Sequence, residues 1–218
     1  FFWGMMDEPV VKRSAILMKP KFWLIQMISS SDRRLTCTMH SDAASFYRKI
    51  QGDDFPSITR IACLQHIKRK FIDCMDAEPE AKEMVKLINK LYHEEHKHKI
   101  GENSWTVEDN FSWRQQYAPA ILAEIKDKLD EILKKPNLLP GSELSEAASY
   151  FNNEWEVVVD IFKRGDTALD NNLVERMNRY FSMSRRSSLF FGSHKGAERA
   201  AVLYTLALSA KMNHLNFF

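Results

Sequence analysis

From Glu78 to Lys163 apolar residues recur at the three-and-four spacing of helices, and no alternating run breaks the pattern. Met84, Leu87, Ile88, Leu91 and Tyr92 predict a helix over 81–97. Ile121, Ile125, Leu129, Ile132 and Leu133 predict a second over 117–133. A third spans 142–162 with Trp155, Val158 and Val159 on its apolar side. Ser142 and Ser145 are its candidate caps, and Pro136, Pro140 and Gly141 punctuate the gap before it. The flanks read differently. Residues 35–41 and 58–63 are short apolar runs that predict strands, with a helix over 43–50 between them and a basic helix after Cys63. A further strand over 22–28 sits between turn-like stretches at 14–21 and 29–34. Toward the C-terminus, Leu173, Met177 and Phe181 repeat every four residues after three candidate caps, Asp170, Asn171 and Asn172. Gly192 and Gly196 bracket a turn. The last helix, 197–211, is expected to pack its stripe of Val202, Leu206 and Ala210 against the sheet. The chain therefore divides into 1–77, a helical insertion over 78–165, and 166–218, in an α/β fold.

A hydrophobic content of 44% in 218 residues is enough to bury the core of one domain and excludes a disordered chain. The net charge of +2 hides segregation. From residue 164 onward there are eight basic residues (Arg164, Arg176, Arg179, Arg185, Arg186, Lys195, Arg199, Lys211) against four acids, an excess that suits a polyanion unless the arginines merely pair with nearby carboxylates. Cys37, Cys63 and Cys74 form no framework of pairs, which places the chain in a reducing, cytoplasmic setting. No stretch reaches the roughly 20 apolar residues of a membrane helix, and the N-terminus has no signal-peptide pattern. The first residue is Phe1, as expected of a fragment of a longer polypeptide.

Three constellations that suggest other chemistry lack the spacing it needs. His93 and His96 are three apart where a zincin helix needs four, so with His98 they read as a solvated helix end. Cys63 and His66 are half of a zinc site without its second pair. The glycines at 192 and 196 lack the full phosphate-loop pattern. Trp3, Trp23, Trp105, Trp113 and Trp155 show no regular spacing and read as packing contacts.

The stretch 169–204, LDNNLVERMNRYFSMSRRSSLFFGSHKGAERAAVLY, places one carboxylate, Glu175, off the apolar stripe and among arginines, whose planar forks fit phosphate oxygens. LDNNLVER, the basic run, and SLFFGSHKGAERAAVLYTL together resemble the C-terminal signature of transposases of the insertion-sequence-66 family. A distant block agrees. TMHSDAASFYRKI and ITRIACLQHIKRKF resemble that family's second-acid segment and the basic segment after it, with Leu64 where the family has Trp. Near the start, MMDEPVV resembles the family's first-acid segment.

The resemblance implies a ribonuclease-H-like mixed sheet, interrupted by the helical insertion and closed by C-terminal helices. It implies an Asp-Asp-Glu triad carried by Asp7, Asp42 and Glu175. These acids would hold two Mg²⁺ (or Mn²⁺) ions for phosphodiester hydrolysis and strand transfer at transposon ends. It implies DNA, both transposon ends and target, as the partner, with contacts from His66, Lys68, Arg69, Lys70, Arg176, Arg179, Arg185, Arg186, Lys195 and Arg199. A homo-oligomer in a synaptic complex, a nucleoid-associated location and DNA-binding segments before this chain are further expectations. Only 34 residues separate Asp7 from Asp42, short for the strands and helix that such a core places there, so the alternative is a decayed copy that binds DNA without cutting it.

Overall fold

The computed structural model describes residues 37–41, 58–172, 175, 176, 179, 180, 183, 191–213, 215 and 216. The strand expected at 22–28, the helix at 43–50, the stripe of Leu173, Met177 and Phe181, and the site residues Asp7, Asp42, Arg185 and Arg186 lie outside the described residues. Strands β1 (Cys37–Ser41) and β2 (Ile58–Ala62) pair in parallel as a two-stranded sheet. Helices α1 (Leu64–Cys74), α2 (Pro79–Glu95), α3 (Val107–Lys134), α4 (Glu143–Asn153) and α5 (Trp155–Phe162) follow, and α6 (His194–Met212) lies near the C-terminus. The described residues are thus α/β in class and mostly helical. None of their helices is long and apolar enough to cross a membrane.

The chain divides into two compact units, one comprising Ser41–Arg48 and Arg60–Asp170, the other Phe1–His40, Lys49–Thr59 and Asn171–Phe218. The first is built around helices. α1 packs on α2 and α4, while α3 packs on α2, α4 and α5. Their apolar stripes supply the core: Ile67 and Phe71 from α1, Met84, Ile88 and Leu91 from α2, Ile125, Leu129 and Ile132 from α3, and Phe151 and Val158 from α4 and α5. Burying each such side chain contributes about 1.5–3 kcal/mol. Phe71 and Phe151 meet edge-on with centroids 6.1 Å apart. In β2 only Thr59 is exposed, as expected of a strand covered on both faces.

Three expectations about helices need correction. The helix expected over 117–133 starts ten residues earlier, at Val107, where Thr106 and Asp109 form a reciprocal capping box: Thr106 Oγ1 accepts from the Asp109 amide at 3.1 Å and Asp109 Oδ2 accepts from the Thr106 amide at 2.9 Å. The Thr106 amide, and then its hydroxyl at 2.8 Å, donate to the Asp109 carboxyl and hold it below the usual carboxylate range. The single helix expected over 142–162 is two. Ser142 Oγ caps the first by accepting from the Ser145 amide at 3.2 Å. The break falls at Glu154, after two asparagines of low helix propensity, where the buried carboxylate receives Nη2 of buried Arg60 at 2.6 Å. A charge pair this deep costs desolvation, which its close geometry offsets, and it ties β2 to the α4–α5 junction.

The third correction concerns α6. Val202, Leu203 and Leu206 are more than half exposed, and among the described residues of α6 the buried one is Leu208. The reason is that α6 is rich in Ala and Leu all round, so periodicity does not select one face. Its start is well determined. Ser193 Oγ accepts from the Gly196 amide at 3.0 Å, and a Cβ on Gly196 would lie 2.2 Å from the Phe191 carbonyl oxygen, which excludes any larger residue. Among the histidines, His93 and His96 are exposed. His98 instead stacks on Trp105 at 3.9 Å and meets Trp113 edge-on, so that helix end packs against tryptophan.

Candidate active site

At Cys63 the backbone is extended, so the amides of Cys63 and Leu64 point to opposite sides. The Cys63 amide donates to the Ser41 carbonyl at 3.1 Å and the Leu64 amide donates to the Leu169 carbonyl at 2.9 Å. The end of β1 and the stretch that leads into the Asp-Asn-Asn motif therefore flank the same two residues. Cys63 and Leu64 are buried, as is Leu169. Neither Cys63 nor Cys74 is in a disulfide, and burial pushes the Cys74 thiol up from its ordinary value.

Beyond Leu169, Asp170 Oδ2 accepts from the Tyr92 hydroxyl at 3.1 Å. Of the three candidate caps, Asn171 fills the role: its carbonyl accepts the first helical bond, from the Glu175 amide at 3.1 Å. Glu175 lies on the exposed side of this helix together with Arg176, Arg179 and Tyr180. Glu175 and Arg179 are four residues apart, hence neighbours on one face. Lys211 of α6 donates to the Tyr180 hydroxyl at 2.8 Å and sits 4.0 Å above its ring, which docks α6 beside the Glu175 helix. Lys195 and Arg199, also four apart, are exposed on the first turns of α6.

The other basic group lies on α1. His66, Lys68 and Lys70 are half-buried, and Arg69 is exposed. The Lys68 ammonium is 5.2 Å from the Tyr92 centroid and that of Lys70 is 4.9 Å from Tyr150, so each rests on an aromatic face. Of the C-terminal basic residues, Arg164 is taken up by Asp166 through two hydrogen bonds of 2.8 and 2.7 Å, which hold that carboxyl low.

Sequence reasoning missed a polar centre inside the helical unit. Arg114 is wholly buried in α3. Its Nη1 donates to the carbonyls of Ile161 (3.1 Å) and Arg164 and to Thr167 Oγ1 (2.8 Å), and its Nη2 donates to Thr167 O (2.7 Å) and to Glu95. Nε completes a fork on Glu95 at 3.1 Å, and Tyr117 donates to the same carboxylate at 2.6 Å. Burial, then the Glu95 charge, pushes the Tyr117 hydroxyl far above the usual tyrosine value, which leaves it a donor. Asn110 Nδ2 binds the Gly165 carbonyl at 2.7 Å, and a Cβ on Gly165 would fall 2.0 Å from the Val107 carbonyl oxygen. Residues 161–167 are thus clamped to α3 just before the chain enters the motif. A signal existed: extending the stripe of Ile125 and Ala118 backward by a turn reaches Arg114, and another reaches Asn110.

Among curated proteins the chain is 30% identical over 169 residues to uncharacterized protein y4jD of Sinorhizobium fredii (strain NBRC 101917 / NGR234), covering 76% of this chain and 32% of that protein. It is 28% identical over 173 residues to uncharacterized protein y4hP of the same strain, covering 73% and 30%. The chain spans about a third of the length of these relatives. No solved structure matches it. The family model described as transposase IS66 family matches residues 25–199, a span that takes in the blocks around Asp42 and Cys63 and the motif around Glu175. With both blocks in one continuous match over most of its length, the chain belongs to the IS66 family of transposases.

Proposed function

We propose that the chain is the catalytic core of an Asp-Asp-Glu DNA transposase, hydrolysing a phosphodiester at transposon ends and joining the freed 3′-hydroxyl to target DNA. One observation supports this most: Ser41 and Leu169 bond to consecutive residues, Cys63 and Leu64. Asp42 follows Ser41 directly, and Glu175 comes six residues after Leu169. Acids far apart in sequence need such convergence to share ions. In this reading residues 1–77 and 166–218 build a ribonuclease-H-like core, with Asp7 on its opening strand, and 78–165 is the insertion.

The donor set is all carboxylate, which suits the hard cations Mg²⁺ and Mn²⁺, and Glu175 is an exposed residue. Among the described residues no three His, Cys, Asp or Glu side chains gather to hold an ion, and Asp7 and Asp42 lie outside them. Asp7, Asp42 and Glu175 would hold the two ions, which when bound supply an activated attacking oxygen and offset charge on the leaving one. Arg176, Arg179, Lys195 and Arg199 orient the strand by its phosphates, with Arg185 and Arg186 beside them in sequence. His66, Lys68, Arg69 and Lys70 form a second contact.

Incubating the chain with pre-cut transposon ends, a plasmid target and Mg²⁺ tests the reading. Joined products that vanish with a chelator support it; DNA binding without joining supports the decayed copy, which the 34 residues between Asp7 and Asp42 favour. Phosphate contacts also predict that the DNA binding constant falls steeply with salt. Arg185→Gln or Arg186→Gln should flatten the log–log slope by about one. A slope unchanged by both would remove these arginines from the interface.

A further inference from the structure

Tyr92 belongs to α2, within the helical insertion, yet its hydroxyl reaches an acceptor 78 positions away, Asp170 Oδ2, at 3.1 Å. Asp170 is the last residue of its compact unit, and Asn171, which caps the Glu175 helix, opens the C-terminal segment of the other. Lys68 covers the Tyr92 ring from one side. Burial, and after it the Asp170 charge, pushes the Tyr92 hydroxyl far above the ordinary tyrosine value, so it remains a donor at every working pH. The neighbouring carbonyl, Leu169 O, is held by the Leu64 amide at 2.9 Å. The segment entering the motif is thus gripped by the start of α1 through backbone and by α2 through a side chain.

We propose that the Tyr92–Asp170 hydrogen bond is a latch by which the helical insertion fixes where the Glu175 helix begins, making Tyr92 a positioning residue for the third acid. Its effect on catalysis rests on the reading of Glu175 as a metal ligand; the latch itself does not. The Glu175 amide closes its bond to Asn171 one residue beyond Asp170, so release of Asp170 acts there first.

Hydrogen exchange followed by mass spectrometry on the full chain, alongside strand transfer, tests the latch. Tyr92→Phe keeps the ring and its contact with Lys68 while removing the donor. Amide exchange across 171–180 should then accelerate by roughly ten- to a hundredfold, the scale of one hydrogen bond to a charged acceptor, with α2 and α3 unchanged. The kcat for joining should fall with no change in DNA affinity. Asp170→Asn retains a neutral acceptor and should exchange at a rate between the wild type and Tyr92→Phe. Asp170→Ala should show at least the Tyr92→Phe effect, and the double variant no more than Asp170→Ala alone. Unaltered exchange at 171–180 in Tyr92→Phe overturns the latch, as does acceleration spread evenly through α2 and α3. A wild-type chain that joins no DNA, while exchange at 171–180 still responds to Tyr92→Phe, upholds the latch and removes the reading of this chain as catalytic.

Discussion

Glu175→Gln is expected to abolish strand transfer of pre-cut ends, by about a thousandfold or more, while DNA binding survives. Losing a group that merely orients a metal ligand costs roughly 10- to 100-fold, and loss of the ligand's own charge must exceed that. The substitution is nearly isosteric and keeps one oxygen, so it isolates charge from shape. A hard divalent ion gives up tightly held water only for anionic oxygen, and a neutral amide does not repay that loss. A thousandfold corresponds to about 4 kcal/mol of barrier. The fold should be untouched, because Glu175 lies on the exposed side of its helix. Removing a negative charge beside Arg176 and Arg179 should hold or strengthen the grip on phosphate. Strand transfer by Glu175→Gln at the wild-type rate would remove the triad assignment.

Arg114→Met is expected to destabilise the helical unit by roughly 3–5 kcal/mol, the scale of breaking a buried ion pair from one side. Met fills much the same volume, so little of this comes from a cavity. The loss arises because Glu95 is left charged and only 18% exposed, and because the carbonyls of Arg164 and Thr167 lose the Arg114 donor while that of Ile161 is left to the Thr167 hydroxyl. Against a total stability of about 5–15 kcal/mol this is a large fraction, readable as a lowered urea midpoint at constant slope. Arg114→Lys should recover part of it, since an ammonium keeps the charge on Glu95 but cannot span both it and the 161–167 backbone as a planar fork does. A midpoint shift worth under about 1 kcal/mol in the Met variant would show that the hub is not a stability element.

The two halves of the molecule were unequally readable. In α2 the residues at 84, 88 and 91 are buried as their spacing predicts, and in α3 so are those at 125, 129 and 132, because a helix that must bury one face repeats its apolar positions whatever it packs against. Arg114 defeated the same logic, since a charge within a stripe reads as its end until its partners are known. At Glu154 the pattern ran on while the helix did not, and the residue at the break pairs with Arg60, 94 positions away. In α6 the composition was apolar on every side, and Val202 and Leu206 proved exposed. For the site, the Asp-Asn-Asn segment, the cap before Glu175 and the basic residues around it were legible, whereas the partners of Asp170 and Leu169 were not.

The chain's own order of residues was enough to settle the family, the helical character of the stretch after Cys63 and the buried faces of α2 and the second half of α3, because motifs and periodicity are local and survive in one dimension. Only the folded molecule decided that Ser41 and Leu169 bond to adjacent amides, that Tyr92 reaches Asp170, and that Arg114 gathers Glu95 and Thr167. Such contacts join segments dozens of residues apart, and their strength depends on burial, which no single segment carries by itself.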